Sequence, residues 1–224
     1  KCLAKMNLGG KNWLPVLLAE GQRALAQGDR ETAKNYLKRA IAERPDALQI
    51  LQMLLVIAID EHDVTAMDEY VKRILSLDPD NMWGNLALGM LQSERDEFDL
   101  AETAYRASLA RAPTLYALNN LAWILQTKGE YDQALQLVKQ ALQTSRSVYA
   151  AWDTLGVILL KMGHPDRALV ALDQALKLNP HAVESKIHKA ETLLALNRRT
   201  EGERLLNEVS ALENINERAR RSLE

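Results

Sequence analysis

Toward the C-terminal end, three side chains have a spacing that could do chemistry. Glu184, His188 and Glu191 stand four and three residues apart, so a helix would carry them on one face. Carboxylates and an imidazole so placed can hold a divalent cation when a neighbouring helix adds a ligand, and Asp153 is the candidate for that addition. Charged helices often show such spacings, and the expected reading is a solvated polar face without metal. Elsewhere the ingredients of a catalytic centre do not come together. His62, His164 and His181 are scattered, and the chain has no Gly-rich phosphate loop, nucleophile elbow or paired-cysteine motif. The one cysteine, Cys2, excludes an internal disulfide and is read as a bystander. The acidic runs from Asp60 to Asp63 and from Glu94 to Asp99 lack the alternating ligands and central glycine of a calcium loop. A non-enzyme without cofactor or metal is therefore expected.

Composition limits the elements that could position any site. Glycine numbers 10 and proline 6 in 224 residues, too few for a loop-rich or all-β protein, while alanine and leucine, both strong helix formers, dominate. The formal net charge is -2. A chain that tracks a nucleic-acid backbone has a basic excess, so no nucleic-acid partner is expected. No apolar run reaches the roughly 18 residues of a membrane span. The longest candidate, Ile50 to Ile59, is interrupted by Gln52 and ends at Asp60.

The chain is periodic. Pro45, Pro79 and Pro113 follow one another at steps of 34, and Pro180 lies two such steps, less one residue, further on. Alanine pairs precede these sites: Ala33 and Ala40, Ala134 and Ala141, Ala168 and Ala175. Prolines stop helices. After each proline site stands a residue expected to cap the next helix: Asp46, Asp80, Thr114, Ser147 and, more weakly, His181. Breaks around Gly28, Gly129 and Gly163 halve the units, so each reads helix, tight turn, helix, tight turn.

The stretch Tyr149 to Ala182 carries Trp152, Leu155, Gly156, Gly163, Ala168, Ala175 and Pro180 in the pattern of a tetratricopeptide repeat, and the chain resembles that family. Gly21, Gly28, Ala33, Ala40 and Pro45 match in the first unit; Leu88, Gly89, Ala101, Tyr105 and Pro113 match in the third; Leu121, Ala122, Gly129, Ala134 and Ala141 match in the fourth, where Arg146 replaces the proline. The second and sixth units are degenerate. About six repeats are expected, at 14–47, 48–81, 82–114, 115–148, 149–182 and 183–216. Residues 1–13 are read as the tail of an upstream repeat, with Leu3 and Met6 as its packing residues, or as a frayed terminus. Residues 217–224 are read as the start of a capping helix or as a frayed end.

The resemblance implies an all-α solenoid of antiparallel hairpins, a superhelix of about 12 helices, in which small residues let helices approach and each hairpin buries its apolar stripe against its neighbours. It also implies that the first helix of each hairpin lines a concave groove where a peptide or helix of another protein lies. Met53, Trp83, Leu86, Met90, Tyr116, Asn119, Asn120, Trp123, Gln126, Asp153 and Glu184 then fall on the groove, with Trp83 and Trp123 open between groove and core. Aromatics and methionines would supply contact area, Asn119 and Asn120 would hold a ligand backbone, and Asp153 with Glu184 would favour a basic residue. The lysines and arginines with which some relatives clamp a C-terminal carboxylate are missing from these positions. The implied function is a protein-interaction scaffold in a bacterial envelope, secretion or polysaccharide-export assembly. The alternatives are a self-assembly module docking end to end, or an accessory domain of a larger protein.

Overall fold

The structure, a computed structural model, describes residues 13–221, with side chains as far as residue 211. Leu3, Met6 and Cys2 lie outside the described residues, as do 222–224. Among the described residues every element is a helix, twelve in all, and these form two compact units divided after Arg111.

The first unit holds α1 (Leu14–Ala26), α2 (Arg30–Glu43), α3 (Leu48–Asp60), α4 (Val64–Leu77), α5 (Met82–Glu94) and α6 (Phe98–Arg111). The second holds α7 (Leu115–Thr127), α8 (Tyr131–Thr144), α9 (Tyr149–Lys161), α10 (Pro165–Leu178), α11 (Val183–Ala195) and α12 (Arg199–Arg221). Consecutive helices pair as hairpins, and within each unit each hairpin packs on the next; α3 also touches α5, α7 touches α9, and α9 touches α11. This is a solenoid of helical hairpins, with burial shared between neighbours rather than gathered at one centre. Helix α12 runs unbroken to Arg221, so Glu217 to Arg221 continue the last hairpin and open no new helix.

Small residues make the hairpins close. Ala33, Ala101, Ala134, Ala168 and Ala175 are fully buried. A Cβ on Gly89 would come within 2.6 Å of the Tyr105 ring, and one on Gly156 within 2.5 Å of Leu172. A Cβ on Gly21 would meet Leu37 at 3.0 Å. Helix α3 is apolar on most of its circumference and buries Ile50, Leu51, Leu54, Leu55, Ile57 and Ala58, because α2, α4 and α5 all pack on it. Its one interior amide, Gln52, donates Nε2 to Asn81 Oδ1 at 3.3 Å.

The turn inside each hairpin needs one residue with positive φ. Gly28, Gly129 and Gly163 supply it, at 76°, 84° and 80°. His62, Asp96 and Asn197 do the same at 54°, 58° and 59°, where a side chain makes that region less comfortable.

The capping residues differ from expectation. Thr114 does cap, its side chain accepting from Ala117 N, but Asp46, Asp80, Ser147 and His181 each stand one residue too early. The N-cap positions belong to Ala47, Asn81, Val148 and Ala182, of which Asn81 alone has a capping side chain, accepting from Gly84 N. The helices before Pro45, Pro79, Pro113 and Pro180 each end two residues ahead of the proline, at Glu43, Leu77, Arg111 and Leu178, and it is the start of the next helix that, except after Pro113, moves by one residue. Asp29 and Asp63 cap α2 and α4 instead, accepting from Thr32 N and Ala66 N.

The carbonyl at the proline position recurs as an acceptor. Arg73 Nη2 donates to Pro45 O at 2.8 Å, Asn85 Nδ2 to Pro79 O at 2.9 Å, and Trp152 Nε1 to Arg146 O at 2.9 Å. In each case a side chain of the following hairpin reaches back to the connection. Asn85 and Trp152 hold the same place, fourth in their first helices.

Candidate protein-binding surface

The residues expected to line a groove have different fates in the two units. In the first, Met53, Trp83 and Met90 are half-buried and pack against the core of their own unit. Leu86 is only 3% exposed. It is a core residue and no lining residue, since α5 is covered by α3, α4 and α6 and the fifth helix position turns inward there.

In the second unit the equivalent helix shows its side chains. Tyr116 is 60% exposed and Trp123 42%. Both are on α7, seven residues apart, and so on one face with Asn119 between them. Thr114 fixes the start of this helix, and the buried Ala117, Leu118, Leu121, Ala122, Ile124 and Leu125 anchor its other side. Asn119 Oδ1 is closed off from water and accepts no hydrogen bond. A buried acceptor without a donor costs about 1–3 kcal/mol. Asn120 is half-buried beside it. Gln126 donates Nε2 to Thr127 Oγ1 at 3.0 Å and ends this face.

Next to α7 stands α9, and next to α9 stands α11. Here Asp153 and His188 meet: Nδ1 lies 3.0 Å from Oδ1 and 3.1 Å from Oδ2. The hydrogen bond to Asp153, aided by the charges of Glu191 and Glu184, holds the His188 imidazole above its ordinary protonation range despite burial pulling the other way. Glu184 is exposed in the first turn of α11, where the helix dipole favours a carboxylate. The four residues that could have been metal ligands therefore resolve into a pair and two outlying carboxylates. Among the described residues no group of three or more His, Cys, Asp or Glu side chains converges on a metal site. Lys189 turns away to Asp173 on α10 at 2.6 Å.

The sequence set Asp153 near His188 only in the metal alternative to a solvated polar face, and the direct pairing of the two was missed. Sequence reasoning missed the orphaned Asn119 oxygen altogether, because burial of one atom has no signature in residue type. No helix among the described residues is long and apolar enough to cross a membrane.

Comparison with known proteins bears on the same regions. Tetratricopeptide repeat models match residues 18–81, 114–151 and 159–222. The BBSome complex member BBS4 of Bos taurus is 24% identical over 199 residues, 88% of this chain. The chain spans 38% of that protein's length. The type IV pilus assembly protein PilF of Pseudomonas aeruginosa is 27% identical over 128 residues, 55% of this chain and 50% of PilF. The crystal structure of PilW, a widely conserved type IV pilus biogenesis factor, superposes with a TM-score of 0.69 at 15% identity, covering 88% of this chain and 92% of PilW. At that identity the likeness speaks for fold alone. With the period, the small-residue contacts, the paired helices and these family matches in agreement, the chain belongs to the tetratricopeptide repeat family.

Proposed function

We propose that the face formed by α7, α9 and α11 binds an extended segment or helix of a partner protein, and that the chain is a non-catalytic scaffold. The observation that carries this is on α7: two exposed aromatics, Tyr116 and Trp123, share one helical face with the half-buried Asn119 between them. Aromatic anchors supply most of the binding energy in interfaces of this kind, and the Asn119 amide, turned outward, would take a main-chain N–H of the ligand. Asp153 and Glu184 give the far side of the face a preference for a basic residue. BBS4 and PilF are each named for an assembly, which supports a role as one component among several. PilF, a type IV pilus assembly protein, favours an assembly of the bacterial envelope as the setting.

The test begins with a partner segment identified by crosslinking through a photoreactive group at Tyr116. Asn119→Ala with Trp123→Ala should weaken its binding by about 2–4 kcal/mol in calorimetry, with the melting curve recorded beside it. Unchanged affinity in a folded double variant would remove α7 from the binding surface.

A further inference from the structure

We propose that Asp153 and His188 form a pH-sensitive clamp between the first helices of the last two hairpins, tightest in mild acid and weakened as the pH rises. It is independent of any ligand. Among the described residues, this is the polar side-chain contact that joins α9 directly to α11; the two helices also touch elsewhere, and α11 packs most extensively on α10 and α12. Both side chains are partly open to solvent, 16% for Asp153 and 29% for His188, so protons reach the pair without unfolding.

The surroundings fix the direction. Asp153 faces the imidazole from α9, while Glu184 and Glu191 flank it on α11. The cation nearest in sequence, Lys189, is engaged by Asp173 of α10. On the side of α12, Glu201 is held by Arg198 at 2.7 Å. The charges that weigh most on His188 are those of Asp153, Glu191 and Glu184, and they favour the imidazolium in the folded protein. In the unfolded chain histidine titrates near 6.5, at about the ordinary value. A folded value above it means that the clamp's contribution is fully present below about pH 6.5 and is lost as the pH rises through the folded value. Above that, Nδ1 can still donate as a neutral ring, but the ion pair is gone.

The consequence is local. Helices α11 and α12 would be held to α9 most firmly in mild acid and would open more often in mild alkali, while α7 and α8 would not notice. The test combines two measurements on the whole chain from pH 5.5 to 8.5. Imidazole resonances report the His188 midpoint, and amide hydrogen exchange, corrected for its intrinsic pH dependence, reports the protection of α11 against that of α8. The expected result is a raised midpoint and an α11 protection that falls by about three- to tenfold relative to α8 across that midpoint. Asp153→Asn, which keeps the shape, should lower the midpoint and flatten the protection profile, and His188→Gln should flatten it independently. A midpoint indifferent to Asp153→Asn, or a wild-type α11 profile that both variants reproduce, overturns the proposal.

Discussion

Helix α5 of the first unit and helix α7 of the second occupy the same place in the repeat and use it in opposite ways. At the second, fifth and ninth positions α5 has Trp83, Leu86 and Met90, and α7 has Tyr116, Asn119 and Trp123. The first set packs: Leu86 is buried, and Trp83 and Met90 lean on the core. The second set is displayed, with two aromatics in solvent and an amide oxygen left without a donor. The period decides where a side chain stands. Its neighbours decide whether that place becomes core or surface, so family register alone cannot turn a position into a binding residue.

The contrast between the two tryptophans is the first thing to break. Trp83→Ala should destabilise the first unit by about 3 kcal/mol, as a half-buried aromatic leaves a void, whereas Trp123→Ala should cost under about 1 kcal/mol. Denaturant unfolding of the two variants checks this, and equal losses would erase the distinction between packed and displayed faces. A second comparison tests how the units tolerate crowding at one shared position. Gly89→Ala and Gly156→Ala should each cost about 1–3 kcal/mol, with Gly89→Ala the worse, because the Tyr105 ring is stiffer than the Leu172 side chain that faces Gly156. Thermal melts that rank them the other way would show that α5 and α6 give more readily than α9 and α10.

A smaller effect with the opposite sign is expected at the hairpin turns. His62→Gly in the first unit should stabilise by up to about 1 kcal/mol, since it removes the strain of a bulky residue at positive φ. Asn197→Gly in the second should gain only a few tenths, because asparagine tolerates that region. Melting midpoints measure both, and a loss at His62 would mean that its ring bond to Ile59 O, 2.9 Å long, outweighs the strain. Smallest of all is Arg146→Pro, which should shift stability by less than about 0.5 kcal/mol in either direction. A large loss there would show that the arginine side chain, and not its carbonyl, is what the second unit uses.

Much of the fold was legible from the chain alone, because proline steps and small residues at fixed offsets have a steric meaning that survives without coordinates. Gly89, Gly156 and Ala168 are where two helices must touch, and only small residues permit it. Capping was less legible: Asp46 and Asp80 are good capping residues, but the helices begin one step later, and a one-residue offset is beyond what composition can resolve. The candidate surface was legible only as a set of positions. Leu86 was assigned to it by register and is buried, since its fate depends on three neighbouring helices and not on its own type. The pairing of Asp153 with His188 crosses 35 residues, and sequence spacing within one helix could suggest neighbours but not partners.

The carbonyls at the proline positions lead to a different kind of conclusion, about how such a chain can drift. What the next hairpin recognises at Pro79 and at Arg146 is a main-chain oxygen, which every amino acid carries. The donor is equally interchangeable, an indole in Trp152 and a carboxamide in Asn85. Substitutions on either side can therefore accumulate while the bond persists, so a repeat loses its signature letters long before it loses the contact they encoded. By that measure the third repeat, which has asparagine where the fifth has tryptophan, is less degenerate than its spelling suggests.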